Sequence, residues 1–394
     1  MRTRSEKAPH RRWRIIRVAL GVFFALVTAL VTALIVDAWT AFGHQPSADD
    51  WRRMGGSTQQ TRGRFENPEP IKNHMLRFVQ DLPDSSSVQS PDAPISVFED
   101  GAAALARAPA SDARITWMGH SSVLIELGGV RVLTDPVWGP VAGPWTWAGP
   151  RRFYAPPVSL EALGDLDAVL ISHDHYDHLD HSTIAALAQK VPRFIVPLGV
   201  GAHLRYWGVP SEKITEVDWW DVVDVANIRI TATPARHASG RQVFDQNRTL
   251  WCGYALSSAS SNLYFSGDTG MFPGLREIGE RLGPFDLAMI EVGAYNRAWP
   301  DWHIGPEQAA QAASWLQAKR LLPIHWGLFA LAPHGWTEPI ERVLSAAKER
   351  GLTTWTPQPG QPLELGVSES TDRWWPSLPW RDAQADPIVS SMVE

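Results

Sequence analysis

Cys252 is the only cysteine among 394 residues, so the chain has no internal disulfide and no cysteine-rich zinc site. Basic charge is scarce where a nucleic-acid surface would need it. The formal net charge is −6, and residues 1–17 carry seven basic side chains against Glu6, which leaves the rest of the chain at −12. So acidic a chain lacks the cationic footprint of nucleic-acid binding, and no nucleic-acid partner is expected. No internal repeat of short period is evident, which sets solenoids and propellers aside.

Charge is also missing from 18–36, directly after Arg2, Arg4, Lys7, Arg11, Arg12, Arg14 and Arg17. At 1.5 Å rise per residue that run spans roughly 28 Å, about one bilayer core. A cleaved signal peptide shares the basic start, but its apolar region is usually about 7–15 residues, and no clean small-x-small site follows Val36. An uncleaved signal-anchor is therefore expected. The basic flank places the N-terminus in the cytoplasm and the globular part on the outer side of the membrane. The predicted organisation is a basic N-terminus (1–17), a transmembrane segment (18–36), a tether and loose wrap (37–113), a catalytic domain (114–366) and a tail (367–394).

Within the wrap, 71–82 reads as either a short strand or a short helix. From Ile115 the texture becomes β-rich: two apolar runs joined by Gly128-Gly129 predict a hairpin, since that turn needs positive φ at both central residues. Asp135 ends the second run. The loop 136–157 then holds Trp138, Trp145 and Trp147 among six prolines and three glycines. It reads either as a rigid cover over a core edge or as a lip for substrate or membrane. Further strands are expected at 193–196, 228–232, 286–292 and 321–325, a hairpin at 250–265, helices at 306–318 and 338–350, and strands near Thr353 and Leu363. Strands alternating with helices, interrupted by hairpins, predict a mixed, layered α/β domain. The tail, with Trp374, Trp375 and Trp380, is expected to pack on the outside.

One stretch concentrates the chemistry. Ile171-Ser172-His173-Asp174-His175-Tyr176-Asp177-His178 puts three imidazoles and two carboxylates into six consecutive positions. These donors suit borderline divalent metals. An apolar run precedes the block and Asp180-His181-Ser182-Thr183 opens a helix after it, so the block sits on a strand-to-helix loop, where α/β proteins usually place ligands. Polar clusters follow later strands as well: Arg236-His237, Ser266-Gly267-Asp268-Thr269-Gly270, Tyr295, and Ile324-His325.

These blocks, with Trp117-Met118-Gly119-His120, Leu133-Thr134-Asp135-Pro136 and His325-Trp326-Gly327-Leu328-Phe329, resemble the metallo-β-lactamase superfamily over 115–365. The flanking signatures resemble its N-acyl-phosphatidylethanolamine phospholipase D-like branch. The resemblance implies an αββα sandwich with a two-metal site at one edge of its sheets. It implies that His173, His175 and His237 hold one ion, that Asp177, His178 and His325 hold the other, and that Asp268 bridges both. Zinc is the first choice of metal, with iron or manganese as alternatives. Asp135 is expected to orient a ligand imidazole, and His120 to support the site. Tyr295 and His303 fall in a segment that lines the site in the family. His303 is then either a phosphate contact or a surface histidine. His10, His44, His74, His181, His203 and His334 lack such context and read as surface residues.

Two divalent ions bring a shared water towards ionisation near neutral pH, and the bridging hydroxide attacks a bound ester, with Asp177 or Asp268 taking the released proton. The leading expectation is a membrane-anchored phosphodiesterase of phospholipase D type, acting on N-acyl-phosphatidylethanolamine-like lipids at the bilayer that anchors it. Trp138, Trp145, Trp147 and Tyr295 are the candidate substrate contacts. A lactonase or other ester/amide hydrolase is the alternative, and a non-catalytic tethered module is the third reading. The resemblance also allows a homodimer.

Overall fold

The computed structural model describes residues 8–74, 76–77, 85–368 and 371–392. The basic stretch 1–7, much of the ambiguous run 71–82, and residues 369–370 and 393–394 of the tail lie outside the described residues. The chain begins with α1 (Ala8–Phe42), α2 (Ala48–Arg53), a small hairpin of β1 (Gln60–Thr61) and β2 (Arg64–Phe65), and α3 (Gly101–Leu105). Then come β3 (Ala113–Gly119), β4 (Ser122–Leu127), β5 (Val130–Thr134), β6 (Ala168–Leu170), α4 (His181–Leu187), β7 (Phe194–Pro197), α5 (Gly201–Tyr206) and β8 (Ile214–Val217). The second half holds β9 (Val222–Val225), β10 (Ile228–Thr233), β11 (Gly253–Ser257), β12 (Asn262–Phe265), α6 (Gly274–Leu282), β13 (Leu287–Glu291), α7 (Pro306–Trp315), β14 (Arg320–Ile324), α8 (Glu338–Glu349), β15 (Thr353–Thr354) and β16 (Pro362–Glu364).

Side-chain alternation dictates the layers. Val123, Ile125, Val132, Leu170 and Ile195 point to a core shared with Ile230, Tyr254, Leu256 and Phe265 of the other sheet. Their neighbours Leu124, Leu133, Val169, Phe194 and Val196 point the opposite way, onto Ile184 and Leu187 of α4 and Leu204 of α5. Strands covered on both faces must be apolar throughout, which is why they read as continuous hydrophobic runs. The second sheet is covered by α6, α7 and α8 through Leu275, Ile278, Ala309, Ala313, Ile340 and Val343. The result is an αββα sandwich, two mixed sheets between helices.

Both sheets follow one plan. The order β16-β3-β4-β5-β6-β7-β8 is antiparallel up to β5 and parallel from β5 to β8. The order β9-β10-β11-β12-β13-β14-β15 is likewise antiparallel up to β12 and parallel beyond it. Gly128 and Gly129 have φ of 58° and 81°, as the predicted turn requires, and Leu127 pairs with Val130 across it.

Three expectations need correction. The segment 37–113 is no simple tether: Met54 and Phe65 are buried in the shared core, and Asn67 reaches a site residue. The tail is integral, because Trp375 is buried against Trp326, and Ser390 and Ser391 bond the buried Asp301. His203 is no surface residue. It is fully buried, its Nδ1 accepts the His44 N–H, and its Nε2 lies 3.3 Å from Asp174. Strands β8 and β9 and helices α5 and α6 were not anticipated: the strands are short, half-exposed edges, and neither helix starts with a side-chain cap.

The first helix outruns the uncharged segment. It is long and apolar enough to cross a membrane over Ile16–Phe42, and within its most apolar window no residue is buried. Its final turns dock on the domain: Trp145 Nε1 donates to the Leu34 carbonyl at 3.0 Å, Trp147 Nε1 to Asp37 at 3.0 Å, and Trp207 Nε1 to the Thr40 carbonyl at 2.7 Å.

Asp180 caps α4 at Ser182 and Thr183 and also accepts the Gly139 N–H at 3.0 Å, tying the tryptophan loop to the helix. Asp180→Ala should lower stability by about 1 kcal/mol with metal content unchanged, read as a reduced thermal midpoint beside elemental analysis.

Candidate metal centre

Nearly every site residue lies at or just past the C-terminal end of a strand. Asp135 follows β5, residues 173–178 follow β6, His237 follows β10, Asp268 follows β12 and His325 follows β14, while His120 sits in the β3–β4 turn. Within each sheet the parallel strands bring these ends to one edge, where open α/β sheets hold ligands. The turns are sharp: His120, Asp135 and His325 have φ of 54°, 36° and 63°. Left-handed backbone at a non-glycine residue costs roughly 1–2 kcal/mol, and such strain gathers at functional sites. Gly267 (φ 56°) serves the same edge, since a Cβ there would come within 2.5 Å of Ser172 Cβ.

Two groups of donor atoms converge. In the first, His173 Nε2 is 2.9 Å and His237 Nε2 3.3 Å from His175 Nδ1. In the second, His178 Nε2 and His325 Nε2 are each 3.4 Å from Asp177 Oδ2. Asp268 Oδ2 lies between the groups, 3.1 Å from the Nε2 atoms of His178 and His325, and 3.9 and 3.8 Å from those of His173 and His237. Donors about 2.0–2.2 Å from one ion at tetrahedral angles would stand roughly 3.3–3.6 Å apart, close to these separations. His178 Nε2, His325 Nε2 and Asp268 Oδ1 are buried without an aligned hydrogen-bond partner among the described residues. Buried polar atoms rarely stay so, and a cation at their centre would satisfy them. Five imidazoles and two carboxylates without a thiolate form a donor set consistent with a binuclear centre.

A surrounding layer fixes the donors. Asp135 is fully buried, accepts Ser172 N–H and Oγ–H at 2.6 Å each, and lies 2.7 Å from His178 Nδ1. His237 Nδ1 lies 2.8 Å from the Trp302 carbonyl, so its Nε2 faces the cluster. Asn67 clasps the His237 backbone, donating to its carbonyl at 2.7 Å and accepting its N–H at 3.2 Å. Asp174 turns away from the cluster and takes the Gly240 N–H and the Thr249 hydroxyl, which shapes the loop. His120 Nε2 lies 2.9 Å from Asp177 Oδ2. His303 Nδ1 lies 2.8 Å from Glu291 Oε2, and Glu291 also accepts the Thr269 N–H.

Electrostatics divides the imidazoles. Burial holds His173 and His237 well below the usual histidine range, and His303 at about 4. Burial works the same way on His178 and His325, but the carboxylates of Asp268 and Asp177 outweigh it, lifting His178 well above that range and His325 to about 10. Burial raises Asp268, yet the facing His178 and His325 hold it well below the carboxylate range. Glu291 is pushed up by burial and by the charge of Asp268.

The structure thus gathers His120, Asp135 and His303 around the seven expected ligands. The other candidates have partners elsewhere. Tyr295 is buried, stacks on His334 and donates its hydroxyl to Glu338 at 2.7 Å. Trp138 donates to the Val158 carbonyl, and Trp145 and Trp147 donate to α1. Sequence reasoning missed Glu291 and Asn67. A glutamate closing the apolar strand Leu287-Ala288-Met289-Ile290 was a visible signal, whereas Asn67 offered none, being 170 residues from its partner.

A family model described as a β-lactamase superfamily domain matches residues 130–326, which include all seven candidate ligands. An uncharacterised protein of Mycobacterium tuberculosis (strain ATCC 25618 / H37Rv) is 43% identical over 324 residues, covering 79% of this chain and 86% of that protein. An N-acyl-phosphatidylethanolamine-hydrolyzing phospholipase D of Caenorhabditis elegans is 40% identical over 235 residues, covering 57% of this chain and 65% of that protein. A metal-dependent hydrolase of Nitratidesulfovibrio vulgaris (strain DP4) is 31% identical over 262 residues, covering 65% of this chain and 97% of that protein.

Elemental analysis of the purified chain should return about two divalent ions per molecule. Asp268→Ala should lose metal and activity together, while His181→Ala, at the first residue of α4 with its ring against Trp207, should keep both; equal loss in the two variants would overturn the ligand set. Because the carboxylates of Asp268 and Asp177 lift His178 well above the usual histidine range and His325 to about 10 in protein freed of metal, loading must displace their protons. Metal affinity should therefore rise with pH across the neutral range, with proton release in a weakly buffered titration; a pH-independent affinity would contradict this.

Proposed function

The chain belongs to the metallo-β-lactamase superfamily, and from that premise we propose that this metal-dependent hydrolase is a membrane-anchored phosphodiesterase of phospholipase D type. Its proposed substrate is N-acyl-phosphatidylethanolamine or a closely related lipid. The observation that carries the lipid assignment is the junction between α1 and the metal loop. Arg241 donates Nε and Nη2 to the Ala41 carbonyl at 3.0 and 2.8 Å, and Nη1 to the carbonyls of Asp174 and Leu179 at 2.7 and 2.9 Å. One guanidinium therefore spans the last turn of an apolar helix and the backbone between His173 and His175. A substrate dissolved in water gains nothing from that proximity; a lipid does. The similarity to the phospholipase D of Caenorhabditis elegans supports the same reading.

His173, His175 and His237 would hold one ion, Asp177, His178 and His325 the other, with Asp268 between them; zinc suits this donor set, and iron or manganese shares it. Bound there, two divalent ions supply Lewis acidity and an acidified water nucleophile. His175, Asp177 and His303 are only partly buried, Asp177 and His303 at 15% and 14% side-chain exposure, against 0–2% for His120, His173, His178, His237, Asp268 and His325. A substrate approaching from the open side meets these three first. Asp177, bonded to His120, accepts the proton released by the attacking water. Glu291, pushed up by burial, turns its proton onto Nδ1 of the neutral His303, which leaves Nε2–H to contact the phosphoryl group or to pass its proton to the leaving alkoxide as Nδ1 takes that of Glu291. The basic residues preceding the uncharged run 18–36 keep the N-terminus cytoplasmic and the site on the outer face.

With the full-length, metal-defined chain in lipid, an N-acyl-phosphatidylethanolamine should turn over faster than a simple phosphodiester or a lactone. Turnover of the lactone alone would end the phosphodiesterase proposal in favour of an ester hydrolase. His303→Gln should retain both metals and lose roughly 10²–10⁴-fold in kcat; loss of metal in that variant would make His303 a ligand instead.

A further inference from the structure

The loop after His237 has its polarity inverted. Val243 and Phe244 are 86% and 87% exposed, whereas the next residue, Asp245, is 5% exposed. The Asp245 carboxylate accepts the N–H groups of Arg241 and Gln242, the latter at 2.8 Å, and the side-chain amide of Gln45 at 2.7 Å. Arg64 bonds the Gln246 carbonyl and, at 3.4 Å, that of Phe244. The turn is thus built from both sides to hold its charge inward and its two large apolar side chains outward. In water such a loop would be expected to turn the other way, since neighbouring exposed valine and phenylalanine forfeit hydrophobic burial.

Position supplies the occupant. Arg241, at the base of the loop, grips the Ala41 carbonyl, and Gln45, which grips Asp245, lies three residues beyond the end of α1. Trp39 on α1, Trp147 bonded to Asp37, and Tyr206 stacked on His44 are exposed around the same helix end. Tryptophan and tyrosine gather where acyl chains meet headgroups. We propose that Val243 and Phe244 insert into the bilayer that α1 crosses, as a second contact beside the helix that presses the His237 side of the metal site onto the lipid surface. This rests on reading α1 as a membrane anchor.

Site-directed labelling of the full-length chain in phosphatidylcholine vesicles separates the two ideas. Cys252 is buried, with its thiol pushed up by burial, so an introduced cysteine takes the environment-sensitive fluorophore selectively. Label is placed in Phe24→Cys on α1, in Phe244→Cys, and in Ala259→Cys at the β11–β12 turn, the far end of the strands from the site. Nitroxides deep in the acyl chains should quench the Phe24→Cys label, nitroxides near the headgroup should quench the Phe244→Cys label with a blue-shifted emission, and neither should affect the Ala259→Cys label. Quenching at position 24 with position 244 behaving like position 259 would overturn the insertion and leave the anchor intact. No quenching at position 24 would overturn both. A blue shift at position 244 that lipid nitroxides leave untouched, but that depends on protein density, would assign the patch to a second copy of the chain and overturn the proposal.

Discussion

Crowding of ionisable groups in a buried space is the constraint from which the rest of the site follows. Imidazoles and carboxylates a few ångströms apart in low dielectric either find a cation or redistribute protons among themselves, and both outcomes demand fixed geometry. Asp135 holds Ser172 and His178 together, Glu291 holds His303, and Asn67 holds the backbone of His237. Behind His120 and His325, whose backbones are strained, stands a stack of indoles. Trp117 donates to the His120 carbonyl at 2.8 Å and stacks on Trp326, which stacks on Trp374. Rigid aromatic packing of this kind is what keeps left-handed turns from relaxing.

The repeated sheet plan explains why the crowding occurs where it does. Each half opens with antiparallel strands and continues with parallel ones, so the strand-to-helix loops of both halves leave from one edge. Long-range packing then closes that edge. Asp301 joins the far ends of the chain, taking the Lys72 N–H from the wrap and the Ser390 and Ser391 hydroxyls from the tail, while paired with the buried Arg236 next to His237. Removing either partner of that ion pair would strand a buried charge beside a candidate ligand.

Local signals carried most of what could be read from the sequence. The Gly128-Gly129 turn, the Asp180 cap and the block 173–178 are each specified by residues within a few positions, and the structure forms each of them where they indicate. Side chains whose meaning depends on distant partners were misread or unseen. His203 looked like a surface histidine because Asp174 and His44 come from other parts of the chain. The indoles of Trp145 and Trp147 bond acceptors 111 and 110 residues away, on α1, which no local signal in the loop 136–157 showed. The candidate ligand set came from resemblance to a family, and the structure brings those seven side chains together; burial and strand ends do not by themselves say which imidazoles share an ion.

Residues 43–47 are all that separate α1 from α2, and His203 and Asp245 tie them down. The domain therefore has a stiff stem instead of a swivelling leash. With α1 in a bilayer, the orientation of the metal edge is set once, by the tilt of the helix, and is not sampled afresh at each encounter. The lipid substrate proposed above would then reach the site by lateral diffusion in two dimensions. Turnover would follow the mole fraction of substrate within the membrane, and diluting the same vesicles in more buffer would leave it unchanged.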